Sequence, residues 1–286
     1  MKILLHLIVP ALIAVLSAKE VAACPDVGRL PDYNCDGSAV ITVLGDSLVY
    51  GFGDTRNDNK GGYVLRAQEK FPEATLVNQG VLGLRTQQML SKIRKAFASY
   101  QTDPLAQSLL TADMVVLDVG RNDRWLMGLP SAALRNIKRA RELITNQATT
   151  LGYQAPLVVT AVLMYPNRGS QGPWVKELDE LIIKSGTADY PADLRFDRVS
   201  KRLLSSDAVH PTSKGYDSMA LIFNKYLSIN YKQHVARLRP AKNPEGESLP
   251  LRPSRIGVIT VTTTGLRSET PLSYSKMHSN GQPFCN

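Results

Sequence analysis

The sequence predicts an open parallel α/β sheet with helices packed on both faces. Three observations lead there. Four short apolar runs recur between Ala39 and Ala236, each ending in or near Gly, Asn, Asp or Pro. Stretches with apolar residues at helical spacing lie between them. The chain has 286 residues, 43% of them hydrophobic, which is enough to bury a large core and excludes wholesale disorder.

The first run, residues 39–44 (AVITVL), closes on Gly45. The second, 74–77 (ATLV), closes on Asn78-Gln79-Gly80; the third, 113–119 (DMVVLDV), closes on Gly120. The fourth, 157–163 (LVVTAVL), runs towards Tyr165-Pro166. Continuous rather than alternating apolar character suits strands covered on both sides. Behind Pro130-Ser131 the stripe Leu134, Ile137, Ala140, Ile144, Ala148 and Leu151 predicts a helix. A second stripe is Tyr216, Met219, Ala220, Phe223 and Leu227, and core packing accounts for both. In such sheets sites form beyond the carboxyl ends of the strands.

The ends of the chain read differently. Lys2 followed by the apolar run 3–16 and small-residue cleavage options makes 1–23 a secretory signal peptide; about 14 apolar residues are too few to span a bilayer. The expected location is therefore periplasmic or secreted. Val21-Ala22-Ala23-Cys24 also resembles a lipoprotein box, which would anchor the chain through a lipid on Cys24, although Lys19 and Glu20 interrupt the run before it. Cys35 lies 11 residues on, close enough for a disulfide in an oxidising compartment. The sequence leaves both fates open, and Cys285 is left over. The expected divisions are an N-terminal segment 24–38, a domain 39–236 and a basic, proline-rich extension 237–286 of unassigned role. A strand-like piece at 256–264 lies in that extension.

Composition excludes several function classes. Three cysteines in this length cannot hold a disulfide miniature, and no CxxC or Cys/His cluster suggests zinc. No repeat suggests a solenoid or propeller. The net charge of +9 is spread without runs, whereas nucleic-acid binding calls for a basic stripe with stacking aromatics. Ordinary solubility accounts for this charge. For an exported protein it also fits weak association with an anionic envelope surface or substrate. Asp32-Tyr33-Asn34-Cys35-Asp36-Gly37 opens like a calcium loop, but Val43 stands where the bidentate carboxylate belongs, so a polar turn is expected and no metal.

The chemistry sits where the strands end. Gly45-Asp46-Ser47-Leu48 puts a serine hydroxyl at the sheet rim, its N–H pointing to an incoming carbonyl with help from a helix N-terminus. Val49 replaces the last glycine of a GxSxG elbow, so this is a different turn. Serine needs a base, and the base needs a group to fix its tautomer. Asp207-Ala208-Val209-His210-Pro211 offers both, and no other histidine has an acid so placed. Gly80 after the second run and Asn122 in Gly120-Arg121-Asn122-Asp123 are candidate oxyanion donors. Tyr50, Trp125, Met127 and the loop 165–174 lie near the expected rim, where they either shape a pocket or pack the core.

GDSL at 45–48, Gly80, GRND at 120–123 and DAVHP at 207–211 together resemble the four motif blocks of the SGNH/GDSL hydrolases over about two thirds of the chain. The resemblance implies a three-layer α/β/α, flavodoxin-like fold, acyl-ester hydrolysis and no cofactor. It implies Ser47 as nucleophile, His210 as base, Asp207 as its orienter, and Ser47, Gly80 and Asn122 as the oxyanion hole. Arg121 fills a variable position. The implied partner is a small-molecule, lipid or glycan acyl ester, with acyl length and leaving group unread. The rival reading is a non-catalytic surface-binding protein on the same fold, against which the intact Ser47, Asp207 and His210 argue.

Overall fold

The computed structural model describes residues 24–238 except 127, 168–169 and 187–192. Residues 1–23, expected to be a signal peptide, the extension from 239 with its expected strand-like piece at 256–264, and Met127 lie outside the described residues.

An antiparallel ribbon opens the described chain, β1 (Asp26–Val27) against β2 (Leu30–Pro31). Four parallel strands follow: β3 (Val40–Gly45), β4 (Thr75–Gly80), β5 (Met114–Asp118) and β6 (Leu157–Thr160), ordered β4-β3-β5-β6. The helices are α1 (Ser47–Tyr50), α2 (Gly62–Lys70), α3 (Thr86–Ala98), α4 (Pro104–Leu110), α5 (Pro130–Thr150), α6 (Gln171–Ser185), α7 (Ser213–Lys225) and α8 (Lys232–Leu238). Beyond β6, Val162 N–H bonds Leu194 O and Phe196 N–H bonds Val162 O, a one-residue start of a further parallel pairing.

Because successive strand residues face opposite ways, the sheet has two cores. Ile41, Val43, Met114, Val116, Leu157 and Val159 meet α2, α7 and α8 through residues such as Tyr63, Phe71, Met219 and Phe223. Leu44, Val115, Leu117 and Val158 meet α3 to α6 through Ile93, Leu109, Ile144 and Leu178. These are the three layers α/β/α that the fold class requires. Pro130 opens α5 at its first position, where its missing N–H costs nothing. The stripe Ile137, Ala140, Ile144 and Ala148 faces the core. The second stripe outlasts α7: Leu227 is buried within a π-type turn, Tyr226–Tyr231, that joins α7 to α8.

The segment 24–38 is stapled to this body. Cys24 and Cys35 are disulfide-bonded with Cα atoms 5.1 Å apart. Asp113, at the foot of β5, accepts the N–H groups of Tyr33 (2.6 Å), Asn34 (3.0 Å) and Val40 (2.7 Å). Burial pushes its carboxyl up to about 6 even so. Within the loop, Asp32 accepts the N–H groups of Asp36 and Gly37. Among the described residues no helix is long and apolar enough to cross a membrane.

The topology also locates a crevice. From β3 the chain crosses to β4 on one side; from β5 it crosses to β6 on the other. Between β3 and β5 the connections diverge, which is where open α/β sheets form their ligand crevice, beyond the carboxyl ends of the strands. Those ends carry Asp46-Ser47 and Arg121-Asn122.

Candidate active site

Ser47 follows β3 directly. Asp46 caps the turn, its Oδ1 accepting Leu48 N–H at 3.0 Å, and Ser47 is 8% exposed. The expected helix after it is a single turn. Gly51 adopts φ +94° and ends it, so its dipole adds little to the Ser47 N–H. A Cβ on Gly51 would lie 2.3 Å from Gly62 N, so only glycine lets the returning chain pass.

The Asp207–His210 turn arrives from the other end of the chain. Ser205 N–H bonds His210 O at 2.7 Å, and Thr212 N–H bonds Leu203 O at 2.8 Å, closing the turn before α7. Ala208 sits at φ +58°, its carbonyl accepting Asn167 N–H at 2.8 Å. His210 Nε2 is 2.9 Å from Ser47 Oγ, and His210 Nδ1 is 2.6 Å from Asp207 Oδ2. The other carboxylate oxygen, Oδ1, accepts from Ser205 Oγ and from the N–H groups of Val209 and His210. Partial burial opposes ionisation of Asp207, but these four hydrogen bonds outweigh it and hold the carboxyl well below the usual range. Asp207 is therefore ionised at neutral pH, and a carboxylate at Nδ1 leaves Nε2 as the nitrogen that faces the serine.

Arg121, Asn122 and Asp123 of the GRND turn each fasten a different neighbour. Arg121, 2% exposed, pairs with Asp46 at 3.3 Å and Asp118 at 2.7 Å, and its Nε–H reaches Met164 O at 3.3 Å. Tyr63 donates to Asp118 at 3.0 Å from the opposite side. Burial raises the Asp46 carboxyl, with the Arg121 charge opposing the rise. Asn122 donates one amide hydrogen to Leu84 O at 3.1 Å. Asp123 accepts Thr86 N–H at 3.0 Å and so caps α3.

Gly80 is a correction. The run 78–80 is not a turn: β4 continues through it, with Gly80 opposite Gly45 in the sheet. Asn78 holds the edge, accepting Gly80 N–H at 2.9 Å and donating to Val49 O at 2.7 Å. With its N–H taken, Gly80 has no donor left for an oxyanion. Its lack of a side chain serves packing instead, since a Cβ there would lie 2.1 Å from Tyr50 N. The glycine standing past the strand end is Gly83, at φ +68° with open space where a Cβ would be, one residue before the carbonyl that Asn122 holds. The second glycine of NQGVLG was the available signal.

Of the expected rim residues, Trp125 is 60% exposed while Trp174 packs against the core and donates to Gly128 O at 2.8 Å. Phe52 escaped the sequence reading. Its ring lies edge-on to His210 with centroids 4.7 Å apart, and its carbonyl is held by Tyr216 Oη at 2.8 Å. Also unforeseen is the network behind the histidine turn. Arg66 pairs with Asp54 and Asp217, and Ser213 Oγ donates to Asp54 at 3.0 Å, tying the start of α7 to the 51–57 turn. Among the described residues no group of three or more His, Cys, Asp or Glu could hold a metal.

Solved structures share this architecture. A lipase, Lip_vut3, from a goat rumen metagenome matches with TM-score 0.53 at 21% identity, covering 66% of this chain and 97% of that one. A member of the lipolytic G-D-S-L family from Veillonella parvula matches with TM-score 0.53 at 19%, covering 67% and 100%. Est24, a carbohydrate acetylesterase from Sinorhizobium meliloti, matches with TM-score 0.51 at 13%, covering 67% and 99%. At these identities the likeness shows the fold. Against curated protein sequences the chain finds no match. The profile of the GDSL-like lipase/acylhydrolase family matches residues 43–217, from within β3 into α7. That span takes in Ser47, the GRND turn and His210, and this chain belongs to the GDSL-like lipase/acylhydrolase family.

Proposed function

We propose that the protein is an exported serine esterase that hydrolyses carboxylic esters through an acyl-enzyme. The observation that carries the reading is the chain of hydrogen bonds Ser47–His210–Asp207, at 2.9 and 2.6 Å. His210 Nε2 takes the proton as Ser47 Oγ attacks the ester carbonyl, and Asp207 stabilises the imidazolium that forms. The oxyanion of the tetrahedral intermediate is met by the Ser47 N–H, the free amide hydrogen of Asn122 and the Gly83 N–H. Collapse expels the alcohol, which leaves with the proton from His210. A water activated by the same imidazole then releases the acid and regenerates Ser47.

Turnover of p-nitrophenyl esters from acetate to palmitate tests the reading. Activity on any member, lost in Ser47→Ala, supports it; a wild-type protein inert across the panel overturns it. The chain-length profile separates short acyl groups, as on acetylated glycans, from lipid acyl chains. Export is supported by the leader 1–23 and by the Cys24–Cys35 disulfide, a bond that persists in oxidising compartments. Intact mass of periplasmic protein, with and without reductant, should show a cleaved chain two hydrogen atoms lighter before reduction. A diacylglycerol adduct on Cys24 would overturn the disulfide assignment.

A further inference from the structure

On the proposed mechanism the departing alcohol passes beside His210, whatever that alcohol is. His210 Nε2, 2.9 Å from Ser47 Oγ, hands its proton to the leaving oxygen, so that oxygen must come within hydrogen-bond reach of the imidazole. The oxyanion turns the other way, towards the Ser47 N–H and Asn122. The group carried by the leaving oxygen therefore meets the side chains packed on the imidazole. Phe52 is one of these. Its ring lies edge-on to His210 with centroids 4.7 Å apart, yet the residue is still 42% exposed.

The ring is held before any substrate arrives. Phe52 N–H bonds Ser47 O at 3.0 Å, and its carbonyl accepts from Tyr216 Oη at 2.8 Å. Gly53, at φ +90°, lets the chain pass close to the histidine turn: a Cβ there would lie 3.0 Å from Pro211 O and 3.4 Å from His210 Cβ. The polar groups that touch or brace the imidazole are already engaged. Asp207 gives Oδ2 to His210 Nδ1 and Oδ1 to three donors, Ser205 Oγ among them, and Ala208 O accepts Asn167 N–H. A hydroxylated alcohol lodged here leaves water and gains no hydrogen bond from these groups, which costs free energy. An aromatic alcohol instead covers the exposed part of the Phe52 ring.

We infer that Phe52 is the leaving-group contact and selects esters of aromatic alcohols over esters of polyols. The inference rests on the serine-esterase reading and supplies the half of the substrate that reading leaves open, the alcohol. Two roles for the ring have opposite consequences. A ring that touches the alcohol acts on aromatic esters and leaves polyol esters nearly unchanged. A ring that only steadies His210 acts on both alike, because His210 must protonate both leaving oxygens.

The test compares the benzyl ester and the glycerol monoester of whichever acyl group the p-nitrophenyl panel turns over fastest. Both release a primary alcohol, so the chemistry of departure is closely matched and the shape and polarity of the alcohol differ. A pH-stat gives kcat/KM for each ester with wild type, Phe52→Ala, Phe52→Leu and Phe52→Tyr. Wild type should favour the benzyl ester about tenfold or more. Phe52→Ala and Phe52→Leu should slow the benzyl ester about tenfold and the glycerol ester less than about twofold, and Phe52→Tyr should restore the preference. No preference for the benzyl ester in wild type, or an equal or larger loss on the glycerol ester in the alanine and leucine variants, overturns the inference and leaves the esterase reading standing. A wild type inert across the p-nitrophenyl panel overturns the esterase reading and this inference with it.

Discussion

Asp46 and Arg121 meet 3.3 Å apart with both side chains out of water, directly beneath the turn that presents Ser47. The pair joins the carboxyl end of β3 to that of β5, and Arg121 carries the link on to Asp118 and to Met164 past β6. Two carboxylates share one guanidinium, so neither Asp46 nor Asp118 has a substitute cation. Arg121→Met should cost about 3–5 kcal/mol of stability, the usual penalty for orphaning a buried charge. Urea unfolding measures it; a loss below about 1 kcal/mol would show that the carboxylates find another way to be neutralised.

The proposed acid–base pair acts as a unit or not at all. Ser47→Ala and His210→Ala should each remove most of kcat, and the double variant should be little worse than either. Single-turnover rates on a p-nitrophenyl ester give the comparison. Additive losses would sink the coupled mechanism, while wild-type-like turnover in Ser47→Ala would sink the esterase reading itself.

Gly80 and Gly83 should respond in opposite order to the same substitution. Alanine at 80 drives a methyl to 2.1 Å from Tyr50 N, and backbone must move, at a cost of about 3 kcal/mol or more. Alanine at 83 meets open space and bears only the left-handed strain, roughly 1–2 kcal/mol. Thermal melts rank the two. Asn122→Ala should leave folding intact and cost about 10²–10³ in kcat, as for one lost oxyanion donor. Near-normal turnover would remove Asn122 from the oxyanion hole.

Asp179 gives a pH signature. Its Oδ1 accepts Leu163 N–H at 2.8 Å, and burial pushes the carboxyl up to about 8. The unfolded value is near 3.9, so the folded state holds the proton more tightly. That contribution is complete below about pH 4, declines as pH rises, and is gone above about 8. Asp179→Asn mimics the protonated acid at every pH. The stability of wild type relative to Asp179→Asn should therefore fall steadily between pH 5 and 8. A difference that is flat over this window would show that the carboxyl ionises normally.

Most of the sheet was legible because buried parallel strands are continuous apolar runs, and β3, β5 and β6 sit where those runs are. Ser47, Asp207 and His210 were legible because each stands in a short local pattern at a strand or turn end. What could not be read was what depends on meeting partners. Arg121 looks like a variable residue between Gly120 and Asn122; only the fold reveals Asp46 and Asp118 around it. Asn78-Gln79-Gly80 has the composition of a turn, but the Asn78 side chain satisfies the edge and lets β4 run on. The stripe Met89, Leu90, Ile93, Ala96 and Phe97 of α3 stands in the sequence at helical spacing, and all five are buried. Phe52 gave no signal, since its contact is with a residue on the far side of the chain.

Ser47 and His210 touch across 163 positions of sequence. A chain emerging from its amino terminus makes the nucleophile turn early and receives its base only when α7 is close to docking. On the proposed mechanism, any form in which His210 has not yet reached Ser47 is chemically silent towards esters. Latency is then a property of chain order, and first turnover would time the closing of this one contact, ahead of the later Tyr231–Pro31 bond that spans 200 positions.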